Sequence, residues 1–267
     1  MRPRALWERY MDCYDYLAGV ESYAAGLREV ATAVKPFPGQ RVLDAGSGTG
    51  NLSLLLKAQG ARITSCDFSV SALRHHRRKD PKAELIRVSL EERLPFKDAS
   101  FDAICCTSVL FALSKAGCEL AVREFLRVLQ PGGRLIVTVA APEKRNGRLL
   151  ANHLRSLFRQ GNGFARAWRL LPQLPSLLRV LYYNRCLQQL PDWQGYHRFS
   201  EEELRTLLFR AGFTELKVKR IYAGSFFQVT CAKLVGNARS VHVKLPVLSS
   251  AVRTSLIGSQ TAIAGTL

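Results

Sequence analysis

Residues 41–56 read RVLDAGSGTGNLSLLL, with glycines at 46, 48 and 50 between two apolar runs. A short buried strand over Arg41 to Leu43 would hand over to a helix at Leu52 to Ala58, and the chain between them must turn sharply. Gly46, Gly48 and Gly50 put no side chain between that turn and whatever lies above the strand end, so a ligand can rest against bare peptide. The plainer alternative is a tight turn with no ligand. Two carboxylates favour the ligand. Asp44 closes the strand, where a buried charge is costly unless something uses it. Asp67 closes the second strand, in RITSCDFS, the place from which nucleotide-binding α/β folds reach ribose hydroxyls.

Outward from this loop, Arg62 to Cys66, Ala83 to Val88, Phe101 to Thr107 and Arg134 to Ala140 read as further strands. Helices are predicted from about Ser69 and from about Gly117 to Leu129, the latter closed by Pro131-Gly132-Gly133. Strands alternating with helices imply a mostly parallel sheet covered on both faces. At 267 residues and 47% hydrophobic content, one domain is expected, without repeats or low-complexity runs. Seven cysteines at irregular spacing, with no CxxC pair, fit buried reduced thiols better than disulfides or zinc, and no metal site is expected. No apolar run of about 18 residues and no signal-peptide start are present, which predicts a cytoplasmic protein. The net charge of +18 favours anionic partners such as nucleic acid or acidic lipid head groups.

The loop is G-x-G-x-G, with Asn51 where a dinucleotide fingerprint would carry its third glycine, so a nicotinamide cofactor is disfavoured. VLDAGSGTG resembles the first motif of the class I S-adenosylmethionine-dependent methyltransferases. The resemblance continues through LPFKDASFDAICC, VLQPGGRLIV and FSEEELRTLLFRAGFTELKV, in order, over residues 36–142 and 198–235. It implies a Rossmann-like sheet of seven strands with a C-terminal antiparallel hairpin, and S-adenosyl-L-methionine as cofactor. Around it, one domain is expected over 1–235, with a helical cap (1–35), a cofactor-binding half (36–142), a basic helical lid (143–197) and a last helix with hairpin (198–235). The remaining tail, 236–267, is expected to be poorly ordered.

By the same resemblance, Gly46, Gly48 and Gly50 would approach the carboxypropyl and sulfonium part of the cofactor, and Asp44 would hold it directly or through water. Asp67 would accept from both ribose hydroxyls and Phe68 would pack on the adenine. Where relatives often carry an Asp for the adenine amino group, this chain has Leu90, flanked by Ser89 and Glu91; recognition would pass to Glu91 or to backbone. Thr107 would line the methionine end, with its carbonyl.

The lid segment sets the acceptor. Residues 144–190 hold nine basic residues and no acid, interleaved with Leu, Phe, Trp168 and Tyr182-Tyr183. Arg155 and Arg159 share one helical face while Leu150, Leu154, Leu157 and Phe158 occupy much of the other, a pattern suited to an anionic membrane surface. A lid with merely solvated arginines remains open. The LPF…SFD and AGF phrases look most like the quinone-ring and lipid methyltransferases, so the expected acceptor is a small lipophilic or membrane-associated molecule. The alternatives are RNA methylation, disfavoured because no RNA-binding module is recognisable, and a fold that has lost catalysis and serves as a binding partner. A base is needed only for an acceptor that holds its proton tightly; His197 and His153 are the candidates, with Tyr196 and Glu143 nearby. His75 and His76 are assigned to the solvated face of the second helix.

Overall fold

The computed structural model describes residues 3–142, 174–191, 196–222 and 224–235. Seven strands form one sheet: β1 (Arg41–Ala45), β2 (Arg62–Asp67), β3 (Glu84–Arg87), β4 (Phe101–Thr107), β5 (Leu129–Ala140), β6 (Phe213–Ile221) and β7 (Phe226–Lys233). Their order is β3-β2-β1-β4-β5-β7-β6, with β1 to β5 parallel and β7 inserted antiparallel between β5 and β6. The central strands are apolar on both faces, as a doubly covered parallel sheet requires: Val42, Leu43, Ile104, Cys105, Ile136 and Val137 are all fully buried.

The helices are α1 (Pro3–Tyr14), α2 (Glu21–Val34), α3 (Asn51–Ala58), α4 (Val70–Lys79), α5 (Lys115–Val128), α6 (Leu174–Gln188) and α7 (Glu201–Ala211). Serine hydroxyls start three of them. Ser69, Ser114 and Ser200 accept from the backbone N–H three residues on at 3.0, 3.1 and 3.1 Å, each satisfying one of the donors a helix start leaves orphaned. In α7 the first turn carries Glu201, Glu202 and Glu203, which suit the positive end of the helix dipole, and Gly212 at φ 106° ends it.

The expected strands and helices are present, with one shift of consequence. The fifth strand begins at Leu129 rather than Arg134: Leu129 pairs with Phe101, the register slips, and Arg134 then pairs with Ala103. Pro131-Gly132-Gly133 is thus an irregularity within the strand's span, not its preface. Strand order reverses between β1 and β4, and the crevice beyond their carboxyl ends is where open α/β sheets bind ligands. Asp44, Asp67 and Thr107 all stand at that edge. The 236–267 tail and most of the 143–197 lid lie outside the described residues.

Candidate active site

The glycine loop is built to be bare for three different reasons. Gly46, Gly48 and Gly50 all have positive φ, at 75°, 54° and 83°. A Cβ on Gly46 would come within 2.3 Å of Val109, and one on Gly50 within 2.2 Å of the His76 ring. On Gly48 the nearest neighbour would be Met11 Sδ at 3.8 Å, so that position faces open cleft. Backbone N–H groups of Gly46 and Ser47 donate to the Cys66 carbonyl at 2.8 and 3.0 Å, tying the loop to the end of β2.

His76 corrects the sequence reading. It is 1% exposed, not solvated, because Ala72 and His76 lie one turn apart on the inward face of α4 and the ring packs where Gly50 has no side chain. Burial, with Lys79 close by, pushes its pKa down to about 4. His75 is half-buried, with Nε2 3.5 Å from Asp12.

Asp67 clamps the loop to the next helix: one carboxylate oxygen accepts from Gly48 N at 2.8 Å, the other from Ser69 N at 2.9 Å. Asp44 accepts from the Ser53 hydroxyl at 2.5 Å, and Ser53 meets Ser65 at 2.9 Å. Burial pushes both carboxyls up to about 6, against hydrogen bonds that pull them down. Phe68, Ser89, Leu90, Glu91, Ser47 and Thr107 complete one cleft with these carboxylates. The Glu91 carboxylate is engaged there: it accepts from Ser114 N and Oγ at 2.9 and 2.6 Å and pairs with Arg4, whose guanidinium also lies over the Phe68 ring at 6.0 Å. Burial opposes ionisation of Glu91, but the Ser114 and Arg4 contacts hold it below the usual range.

Sequence reasoning expected a helical cap over 1–35 but named none of the residues by which it lines this cleft. Pro3, Arg4, Trp7, Met11 and Tyr14 of α1 line it. Glu8 fastens that helix to the start of α4, accepting from Ser69 Oγ at 2.8 Å, Val70 N at 3.0 Å and Ser71 N at 3.1 Å. Asp15, just past α1, meets Thr49 Oγ1 at 2.5 Å and Lys79 at 2.8 Å. The signal was available: Trp7, Met11 and Tyr14 recur at helical spacing.

A second cleft, with a cavity volume of about 280 Å³, adjoins the first; Trp7, Tyr14, Tyr23 and Ser108 line both. Eight aromatic rings form its wall in a continuous run of contacts. Tyr196 meets Phe111 at 4.9 Å, Phe111 meets Trp7 at 6.1 Å, Trp7 meets Tyr10 at 5.8 Å and Tyr10 meets Tyr14 at 5.3 Å. Tyr14 meets Tyr23 at 6.0 Å, Tyr23 meets Tyr222 at 6.0 Å and Tyr222 meets Phe226 at 5.0 Å. Helix α6 supplies Leu177, Val180, Asn184, Arg185 and Gln188.

Of the expected bases, His153 lies outside the described residues. His197 is buried, its N–H donates to the Phe111 carbonyl at 2.6 Å, and its Nε2 lies 2.9 Å from Glu203 at the start of α7. It lines neither cleft, whereas its neighbour Tyr196 does.

Buried oxygens with no partner among the described residues, Ser47 Oγ and Thr107 Oγ1, share the first cleft with two buried carboxylates and the open face of Gly48. That donor set fits a cationic, hydroxyl-bearing cofactor such as S-adenosyl-L-methionine. Ionised carboxylates hold a cation better than neutral ones, so affinity should fall as pH drops through about 6. Between pH 7.5 and 5.5 the loss should be about fourfold per carboxylate, measured calorimetrically. A flat profile would show that neither group titrates on binding.

A methyltransferase domain family model matches residues 43–137. A demethylmenaquinone methyltransferase of Clavibacter sepedonicus is 31% identical over 215 residues, 74% of this chain and 76% of that protein. Another, from Mycobacterium sp. (strain KMS), is 31% identical over 220 residues, 80% of each. Among solved structures, an S-adenosylmethionine-dependent methyltransferase of Thermotoga maritima superposes with a TM-score of 0.58 at 22% identity, covering 86% of this chain and 99% of that one, a likeness of fold. The chain thus belongs to the class I S-adenosylmethionine-dependent methyltransferases, in their small-molecule and quinone branch.

Proposed function

We propose that the acceptor is a quinol-type aromatic ring, methylated in the second cleft. The observation that carries this reading is the eight-ring wall beside the cofactor cleft, since flat rings stack on flat rings. The relatives named as demethylmenaquinone methyltransferases support it. The bound cofactor supplies a methyl group already activated on a sulfonium. The chain's own task is then positioning, which can supply about 7–11 kcal/mol of a barrier. Trp7, Tyr14, Tyr23 and Ser108 form the shared border at which the two molecules would meet. Asp67 and the loop would hold the ribose and methionine parts. Because Glu91 is tied to Ser114 and Arg4, backbone around Ser89 and Leu90 is the better candidate for the adenine.

The same reading includes contact with an anionic membrane, where a lipophilic ring would be found. Helix α6 turns Leu178 and Tyr182 outward, 57% and 63% exposed, beside Arg179. Among the described residues no helix is long and apolar enough to cross a membrane. Labelled methyl transfer to a naphthohydroquinone, run beside bulk RNA and vesicles of phosphatidylglycerol, tests both parts. Label in the quinol and sedimentation that weakens as salt rises are the expected results. Label in RNA alone would overturn the acceptor, and no sedimentation at low salt would overturn the membrane contact.

A further inference from the structure

Tyr222 is held in place at a cost to its surroundings that packing alone does not explain. It is 5% exposed and its backbone sits at φ 51°, a region that bulky residues rarely enter. Its ring lies against Gly26 in the middle of α2, where a Cβ would come within 2.1 Å of ring carbon Cε1. Tyr23 stacks on it at 26° and Phe226 meets it edge-on. So firmly placed a ring would ordinarily be phenylalanine, because the Tyr222 hydroxyl is buried with no hydrogen-bond partner among the described residues. Three more buried polar atoms without a partner among the described residues belong to residues that line the same cleft: Trp7 Nε1, Gln188 Nε2 and Ser22 Oγ.

This set has a polarity. The indole N–H and the amide nitrogen only donate, and hydroxyls can do so. No Asp or Glu lines the cleft among the described residues, and residues 144–191 contain neither; the charged group at its edge is Arg185. We propose that the Tyr222 hydroxyl, aided by the Gln188 amide and the Trp7 N–H, binds a ring oxygen of the acceptor and so makes the enzyme prefer oxygenated rings to aminated ones. The inference deepens the quinol reading and rests on it for the ring, but the residue assignment has its own test. An ammonium group would find aromatic faces there, but also donors and, among the lining residues, an arginine of its own charge.

The test measures binding to the full chain with S-adenosylhomocysteine present, using 2-naphthol, naphthalene and the cation 1-naphthylmethylammonium as probes. Wild type should favour naphthol over naphthalene by about tenfold, the range of one or two good hydrogen bonds, and bind the cation worst. Tyr222→Phe should erase most of that preference, leave naphthalene affinity unchanged and keep or raise the melting temperature, since the lost hydroxyl has no partner among the described residues. Gln188→Leu should give a smaller loss of the same kind. A Tyr222→Phe chain that binds naphthol as wild type does, or that loses naphthol and naphthalene equally while melting earlier, overturns the proposal, as does tighter binding of the cation. Binding with the stated preference but no methylation of a naphthohydroquinone would instead overturn the quinol reading and leave Tyr222 in its role.

Discussion

Asp67→Ala should weaken S-adenosylmethionine binding at least a hundredfold by calorimetry. In the folded chain its two oxygens already accept from Gly48 N and Ser69 N, so the substitution loosens the glycine loop before any ligand arrives. Hydrogen bonds to a charged group are worth about 1.5–3 kcal/mol each, and two of them exceed the 2.8 or so that a hundredfold change requires. Any bond to the ribose would add to this. Asp67→Asn separates the parts: it keeps the volume, but its amide NH₂ must face one of the two backbone N–H donors. It should therefore fall between alanine and wild type. Wild-type affinity in the alanine variant would mean that the end of β2 does not face the cofactor.

The second large effect is on stability. Gly50→Ala should lower the melting temperature by about 5–15 °C, from two sources. A residue other than glycine at φ 83° costs roughly 1–2 kcal/mol, and overpacking a filled site costs roughly 1–3 more. The clash is with the His76 ring, which is only 1% exposed. Removing that ring in a Gly50→Ala, His76→Ala double variant should recover the overpacking part and leave the backbone part. If the double variant melts no higher than the sum of the single effects allows, the two residues are not in contact. Gly48→Ala, by contrast, meets open cleft, so at φ 54° it should show the backbone part of the loss alone while binding the cofactor poorly.

His76 also gives stability a pH dependence of known sign. Its folded pKa, about 4, lies below the unfolded value of 6.5, so its contribution is complete above 6.5 and is lost as pH falls from there towards 4. Asp44 and Asp67 act oppositely. Their raised values favour the folded state at low pH, and that advantage disappears as pH rises through about 6.

The cofactor half of this protein was legible because its determinants are local. A strand end, a run of glycines and a carboxylate at the next strand end are all short-range patterns, and the parallel order follows from the alternation of elements. The His76 assignment failed for a physical reason: a charged cluster, HHRRKD, looks solvated, and only the tertiary neighbour Gly50 shows that one ring is turned inward. The start of β5 was obscured by proline and glycines that usually mark a turn. The aromatic wall was beyond local reading altogether. Its rings come from positions near 7 to 23, 111, 196 and 222 to 226, so no window of sequence contains more than a part of it. The role of α1 belongs to the same class, with Glu8 acting 62 positions away at Val70.

Trp7, Tyr14 and Tyr23 stand on the border of both clefts, and with cofactor and acceptor bound as proposed this would make the two occupancies one thermodynamic system. A ring shifted by the nucleotide is a ring already shifted when the aromatic guest arrives. The factor by which the first guest alters the second one's dissociation constant must equal the factor by which the second alters the first's, in magnitude and in sign. Spent cofactor and fresh cofactor differ by a methyl and a charge, so on the proposed reading the acceptor's affinity would depend on which of them is bound.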